Sequence, residues 1–176
     1  PVGRERESAV ADMLDASKAL AEASAFLADA ADKCGDAAFV DATKTEFERL
    51  YMVPGKAYVY PWESPYAGQI TTIFKESTLD VRRRYEEYGF SAEEKGHFPE
   101  DNIAMMCGFM AHLSRGAYES FADGDDANVH TILESQASFA DAHLGEWVSQ
   151  FAEKTRKNDR TGLYAHLASA LETFLK

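Results

Sequence analysis

The stretch Phe98-Pro99-Glu100-Asp101-Asn102-Ile103-Ala104-Met105-Met106-Cys107-Gly108-Phe109-Met110-Ala111-His112-Leu113 decides the fold class. After Ile103, the residues Met106, Cys107, Met110 and Leu113 recur at steps of three and four, which lines one face of a helix with apolar side chains. Pro99 reads as the first helical residue, where its missing N–H costs nothing and where Glu100 and Asp101 suit the positive end of the helix. Toward the C-terminus, Asp123-Gly124-Asp125-Asp126 breaks the chain. Val129, Ile132, Leu133, Ala140, Leu144, Trp147, Val148 and Phe151 then mark one long helix, with Lys154, Arg156 and Lys157 in its last turns. Leu163, Leu167, Leu171 and Phe174 mark a final helix.

Upstream, the same period continues. Val10, Met13, Leu14, Leu20, Leu27 and Ala31 predict one long helix, or two in line, from Arg4 to Cys34 with Gly35 as a C-terminal cap. A helix is expected from Thr43 to Met52, with Phe47, Leu50 and Tyr51 on one face, stopped by Pro54. Val53 to Tyr66 (VPGKAYVYPWESPY) contains prolines at 54, 61 and 65 among four aromatics, so it reads as an ordered aromatic loop with a short extended piece at Ala57–Tyr60. Helix resumes from Tyr66 to Lys75. Another begins at Thr78 as a cap, with Val81, Tyr85 and Tyr88 inward and Arg82, Arg83 and Glu86 outward, and ends at Gly89. Ser91 to Phe98 reads as a loop. The prediction is an all-α, single-domain helical bundle over residues 1–176.

A chain of 176 residues fits one domain on a prior of roughly 100–200 residues per domain. Thirty acidic against eighteen basic residues give a formal charge of −12, which repels phosphate backbones and argues against nucleic acid as a partner. Cys34 and Cys107 are the only cysteines and form no CxxC, so the expected compartment is the reducing cytoplasm. The longest apolar run, Ile103 to Ala111, is about half of the ~20 residues a membrane-spanning helix needs, so no membrane insertion is expected. Arg82-Arg83-Arg84 lies mid-chain and is followed by Tyr85-Glu86-Glu87, unlike a twin-arginine export signal.

Catalytic and metal signatures are absent: there is no GxSxG, HExxH or GxxxxGK[ST]. Glu94-Lys95-Gly96-His97 has the ExxH spacing of a di-iron pair without the second ExxH such a site needs. Asp123, Asp125 and Glu134 imitate positions 1, 3 and 12 of a calcium loop, but Ala127 and Asn128 stand at positions 5 and 6, where a ligand and the sharp-turn glycine belong. His143 and Glu146 read as a surface pair one turn apart. The expectation is a non-enzymatic protein with no catalytic residues, no metal and no cofactor.

Two blocks remain, and they carry a resemblance. Phe47-Glu48-Arg49-Leu50-Tyr51-Met52-Val53-Pro54 running to Pro61-Trp62-Glu63-Ser64-Pro65-Tyr66 is similar to the aliphatic-aromatic pair, proline and aromatic-acid-Ser-x-Tyr box of the TorD/DmsD/NarJ family of molybdoenzyme maturation chaperones. Phe98-Pro99-Glu100-Asp101-Asn102-Ile103, followed by Phe109-Met110-Ala111-His112-Leu113, resembles that family's Glu-Pro-x-Asp-His-(Ile/Leu) signature. Together with the run from Phe139 to Leu175, the resemblance covers about residues 40–175. The chain departs from the pattern at Phe98 for Glu, Asn102 for His and Val53 for a common glycine. Asn102 can hydrogen-bond but cannot titrate.

The resemblance implies a cytoplasmic all-helical chaperone that binds the twin-arginine leader, or the apo form, of a molybdenum-containing oxidoreductase subunit until its cofactor is inserted. It points to Trp62, Glu63, Ser64 and Tyr66 in the first block and Phe98, Pro99, Glu100, Asp101 and Asn102 in the second as the leader-binding residues. A leader of paired arginines followed by an apolar stretch needs carboxylates beside apolar surface. Glu63, Glu100 and Asp101 would supply the first, and Trp62, Tyr66 and Phe98 the second. Alternatives are a chaperone for a leader-less, nitrate-reductase-type subunit, or a helical adaptor or nucleotide-binding protein without a redox client. A homodimer exchanging helices across Ser91–Phe98 is compatible with the sequence.

Overall fold

The computed structural model describes residues 18, 20–26, 28–67, 76–91, 99–145 and 147–175. They are predominantly helical, and no strand occurs among them, as the periodicity predicts. Residues 20–26 and 28–32 are helical. Their helix ends where expected but without a left-handed glycine cap: Lys33, Cys34 and Asp36 donate to the carbonyls of Ala30, Ala31 and Lys33, a tightened turn that needs no positive φ at Gly35. The expected start at Arg4 and the expected helix over Tyr66–Lys75 fall largely outside the described residues.

Six helices follow: α1 (Ala37–Phe47), α2 (Glu76–Glu87), α3 (Ile103–Ala122), α4 (Asp126–His143), α5 (Trp147–Asn158) and α6 (Leu163–Phe174). Helix α1 starts at Ala37, not Thr43, because Asp36 caps it: the Asp36 carboxylate accepts the Ala38 N–H at 2.9 Å. It runs into a π-helical turn, Glu48–Met52, closed by Val53 N–H donating to Glu48 O. Helix α2 begins before Thr78, and Thr78, 1% exposed, is buried within it and is not its cap. Gly89 ends the segment in the left-handed region, φ 64°, as expected.

Two further expectations are corrected. Pro99 is not the first residue of α3: Asn102 is the cap, extended at φ −73°, ψ 135°, with its side chain accepting the Ala104 N–H. Glu100 and Asp101 therefore precede the helix and turn to other partners. The single long helix over Val129–Phe151 is two helices, α4 and α5. Leu144 and Gly145 both donate to the Ala140 carbonyl, which ends the regular ladder of α4 at His143.

The chain divides into two compact units, Pro1–Tyr60 with Val148–Lys176, and Pro61–Trp147. In the first, Tyr51 lies over Phe151 at 5.9 Å and edge-on to Tyr164 at 5.7 Å, with Leu50 and Val59 fully buried. Glu46 takes a two-pronged contact from Arg49 and the Arg160 N–H, holding the end of α1 to the α5–α6 turn. In the second, α3 and α4 form an antiparallel hairpin about Gly124, φ 76°. Met106, Phe109, Leu113 and Ala117 are the buried residues of α3; Ile103, Cys107 and Met110 are half-buried, so the core face is centred one step away from the stripe read in the sequence. Phe109 is the hub, with ring centroids 4.8 Å from Tyr85 and 4.9 Å from Phe139.

Candidate functional site

The Pro61–Tyr66 end of the first sequence block meets the second block within the second unit. Trp62 and Asn102 form an isolated antiparallel bridge: Glu63 N–H donates to Asp101 O at 3.0 Å and Ile103 N–H to Pro61 O at 2.9 Å. Proline at 61 leaves only a carbonyl to offer on that side, and that carbonyl is used. Asp101, 0% exposed, then accepts from both the backbone N–H of Ser64 at 2.8 Å and its hydroxyl at 2.5 Å. A buried carboxylate holding two donors of one residue fixes the bend from Trp62 into Ser64.

Glu63 is buried at 6% and Glu100 at 7%. Arg82 of α2 forks onto Glu100, Nε to Oε1 at 2.8 Å and Nη2 to Oε2 at 3.0 Å, while the Tyr85 hydroxyl donates to the Glu100 carbonyl at 3.0 Å. Arg82 was expected to face outward; its side chain is indeed 41% exposed, and from there its guanidinium pairs with the buried Glu100 carboxylate, which needs a cation. Burial, reinforced by the charges of Asp101, Glu100 and Glu63, pushes the Tyr85 phenol far above its ordinary value, so it stays a donor.

The remaining carboxylate of the box reaches His143. Its Nδ1 lies 3.1 Å from Glu63 Oε2 and its Nε2 2.9 Å from Asp80 Oδ2 of α2. Both ring nitrogens face carboxylates, which when ionised can only accept, so both hydrogen bonds are made together only by the protonated ring. Burial works against that charge, but the hydrogen bonds and charges of Glu63 and Asp80 outweigh it and raise His143 above 6.5. The hydrogen bond to His143 lowers Asp80 below 3.8, against its burial and with help from the charges of His143, Arg83 and Arg84. His143 is also the last residue of α4, where a cation meets the negative helix end. The Trp147 indole donates to the His143 carbonyl at 2.6 Å, and Tyr66 lies on Trp147 at 5.3 Å.

The expected surface pair of His143 with Glu146 is therefore corrected: His143 is 5% exposed and belongs to the core, while Glu146 lies outside the described residues. The sequence held a signal for this, since Phe139, His143 and Trp147 recur at steps of four on the stripe that buries Phe139. Asp80, Arg82 and Tyr85 were missed as partners because they come from a distant helix.

Of the residues singled out, Glu63, Ser64, Pro99, Glu100 and Asp101 are buried, and Trp62, Tyr66 and Asn102 are half-buried. Phe98 lies outside the described residues, as does the Glu94–His97 pair. The three carboxylates read as receptors for an incoming cation have internal donors instead. Asp125 of the calcium-like loop caps α4 through the Asn128 N–H, and Glu134 pairs with His130 at 3.1 Å. Among the described residues no group of three or more His, Cys, Asp or Glu could hold a metal ion, and no helix is long and apolar enough to cross a membrane.

Comparison with known proteins agrees with the two blocks. The "Chaperone protein TorD" of Vibrio cholerae serotype O1 (strain M66-2) is 28% identical over 131 residues, 74% of this chain and 58% of that protein. The proteins of that name from Photobacterium profundum and Escherichia coli O6:H1 are 25% and 24% identical over 129 and 126 residues, 73% and 72% of this chain and 58% and 56% of theirs. The chain thus spans under two thirds of the length of these relatives. No solved structure matches it significantly. The family described as "Nitrate reductase delta subunit" matches residues 14–153, well over half of the chain, with both blocks inside the match, and the chain belongs to that family, the family of TorD and NarJ.

Proposed function

We propose that this chain is a cytoplasmic, non-enzymatic chaperone that binds the twin-arginine leader or the apo form of a molybdenum-containing oxidoreductase subunit and holds it for cofactor insertion before export. The observation that carries the reading is the Trp62–Asn102 bridge, which joins the two blocks of the resemblance. Supporting it are the family match and relatives named as TorD chaperones.

In this reading the half-buried Trp62, Pro65 and Tyr66 offer the apolar contact surface. Glu63, Ser64, Pro99, Glu100, Asp101 and Asn102 hold that surface in shape, and the −12 charge of the whole chain draws in a basic segment. The test is fluorescence anisotropy with a synthetic peptide of paired arginines followed by an apolar stretch. Binding is expected, with an on-rate that falls as salt rises and an affinity weakened by Trp62→Ala and by Asp101→Asn. Unchanged affinity in both folded variants removes this surface from the account. A second reading, assembly of a leader-less nitrate-reductase-type subunit, is favoured by the description of the matching family. Capture of apo subunit without any affinity for leader peptide would select it.

A further inference from the structure

We infer that His143 is a positioning residue for the Trp62–Tyr66 box: its ring clamps Glu63 of the box to Asp80 of α2 from the end of α4, and the proton it carries holds the clamp shut. The inference deepens the proposed function, on which the meaning of the box as a client contact rests. Its geometry stands independently of that meaning.

Three separately placed segments converge on one imidazole. Glu63 approaches Nδ1 at 3.1 Å and Asp80 approaches Nε2 at 2.9 Å. Phe139 packs on the ring at 5.0 Å from its own helix, and the first residue of α5, Trp147, ties off the backbone behind it. The charged groups around the clamp are accounted for. On α2, Arg83 and Arg84 lie 2.7 and 3.8 Å from Asp80, and Arg82 is held by Glu100. On the loop before α3, Asp101 is engaged with Ser64. No cation other than His143 is paired with Glu63 among the described residues.

Removing the proton leaves one ring nitrogen facing a carboxylate as an acceptor, so one of the two bonds becomes a repulsion. Tyr66 rests on Trp147, whose indole bonds the His143 carbonyl, so two residues of the box, Glu63 and Tyr66, refer back to the same residue. The direction of the pH effect follows. His143 is raised in the folded chain, so the clamp holds fully below 6.5 and is lost as pH rises through the raised value. Asp80 is lowered, so its share is present above 3.8 and is lost only in stronger acid.

The test is amide hydrogen exchange of the full chain from about pH 6 to about pH 9, corrected for intrinsic rates, comparing residues 61–67 with α3 as internal reference. Opening of residues 61–67 is expected to rise by up to about tenfold per pH unit above 6.5 while α3 keeps its protection. In His143→Gln the box is expected to be open and its profile flat across this range. Because that variant removes a buried group, the wild-type profile serves as the independent measurement. A flat wild-type profile, or loss of protection in the box and α3 together, overturns the inference. The paired-arginine peptide is titrated in parallel: a pH-dependent box without peptide binding supports the positioning role and counts against the proposed function alone.

Discussion

Replacing Asp101 tests whether the two blocks are held together as described. The carboxylate is fully buried and accepts two hydrogen bonds through Oδ2, while Oδ1 makes none. Hydrogen bonds to a charged group contribute about 1.5–3 kcal/mol each. Asp101→Ala loses both and leaves the Ser64 N–H and hydroxyl buried, partly offset by relief of the buried charge, so a loss of about 3–5 kcal/mol is expected. Asp101→Asn keeps an acceptor oxygen for Ser64 and puts its amide nitrogen where Oδ1 had no partner, for about 1–2 kcal/mol. At about 2–4 °C per kcal/mol for a chain of this size, the alanine variant is expected to melt at least ~6 °C lower. The assay is urea and thermal unfolding of both variants, of Ser64→Ala and of the Ser64/Asp101 double alanine variant. A coupling energy of about 1 kcal/mol or more is expected between the two positions. Additive losses, or an alanine variant no less stable than the asparagine one, would refute the reasoning.

Other perturbations separate the remaining contacts. Arg82→Lys keeps the charge beside Glu100 but loses the fork, and about 1 kcal/mol is expected; Arg82→Leu leaves the carboxylate buried and unpaired, and about 2–3 kcal/mol is expected after discounting for solvent screening of the 41% exposed arginine. Equal urea midpoints for the two would show that Glu100 needs no cation. Phe139→Ala removes a ring that is 0% exposed and packs on Phe109 and His143, so unfolding is expected to become easier by about 3–5 kcal/mol. Gly162 holds φ 82° and Gly35 does not occupy the left-handed region, so Gly162→Ala is expected to cost about 1–2 kcal/mol and Gly35→Ala to be neutral or stabilising. Calorimetry showing the reverse order would contradict these backbone assignments.

The helical class was legible because period 3.6 runs through nearly every segment; the turn at Gly124 was legible from glycine among aspartates, and the one at Gly89 from glycine just past the Val81, Tyr85 and Tyr88 stripe. What the sequence hid was local competition for the same groups. Pro99, Glu100 and Asp101 have the composition of a helix start, yet Asn102 caps α3, and the two acids are drawn to Arg82 and Ser64, 18 and 37 residues away. The break between α4 and α5 shows as one carbonyl, that of Ala140, shared by two donors, which an apolar stripe continuing through Leu144, Trp147 and Val148 conceals. At the site, motif resemblance located both halves, because those residues recur as short contiguous blocks. It could not locate Asp80 or His143, whose roles depend on three segments meeting. It also assigned solvent-facing roles to carboxylates that folding buries, because an acid beside aromatic residues reads the same in sequence whether it faces a ligand or an internal donor.

The most direct measurement of the central claim is affinity co-purification of the tagged full chain from its source cytoplasm, with mass spectrometry covering the N-termini of the proteins recovered. The account expects a molybdenum-oxidoreductase catalytic subunit with its leader still attached, its recovery reduced when Trp62 is replaced by alanine. Recovery of no redox-enzyme subunit under conditions where one is expressed would contradict it.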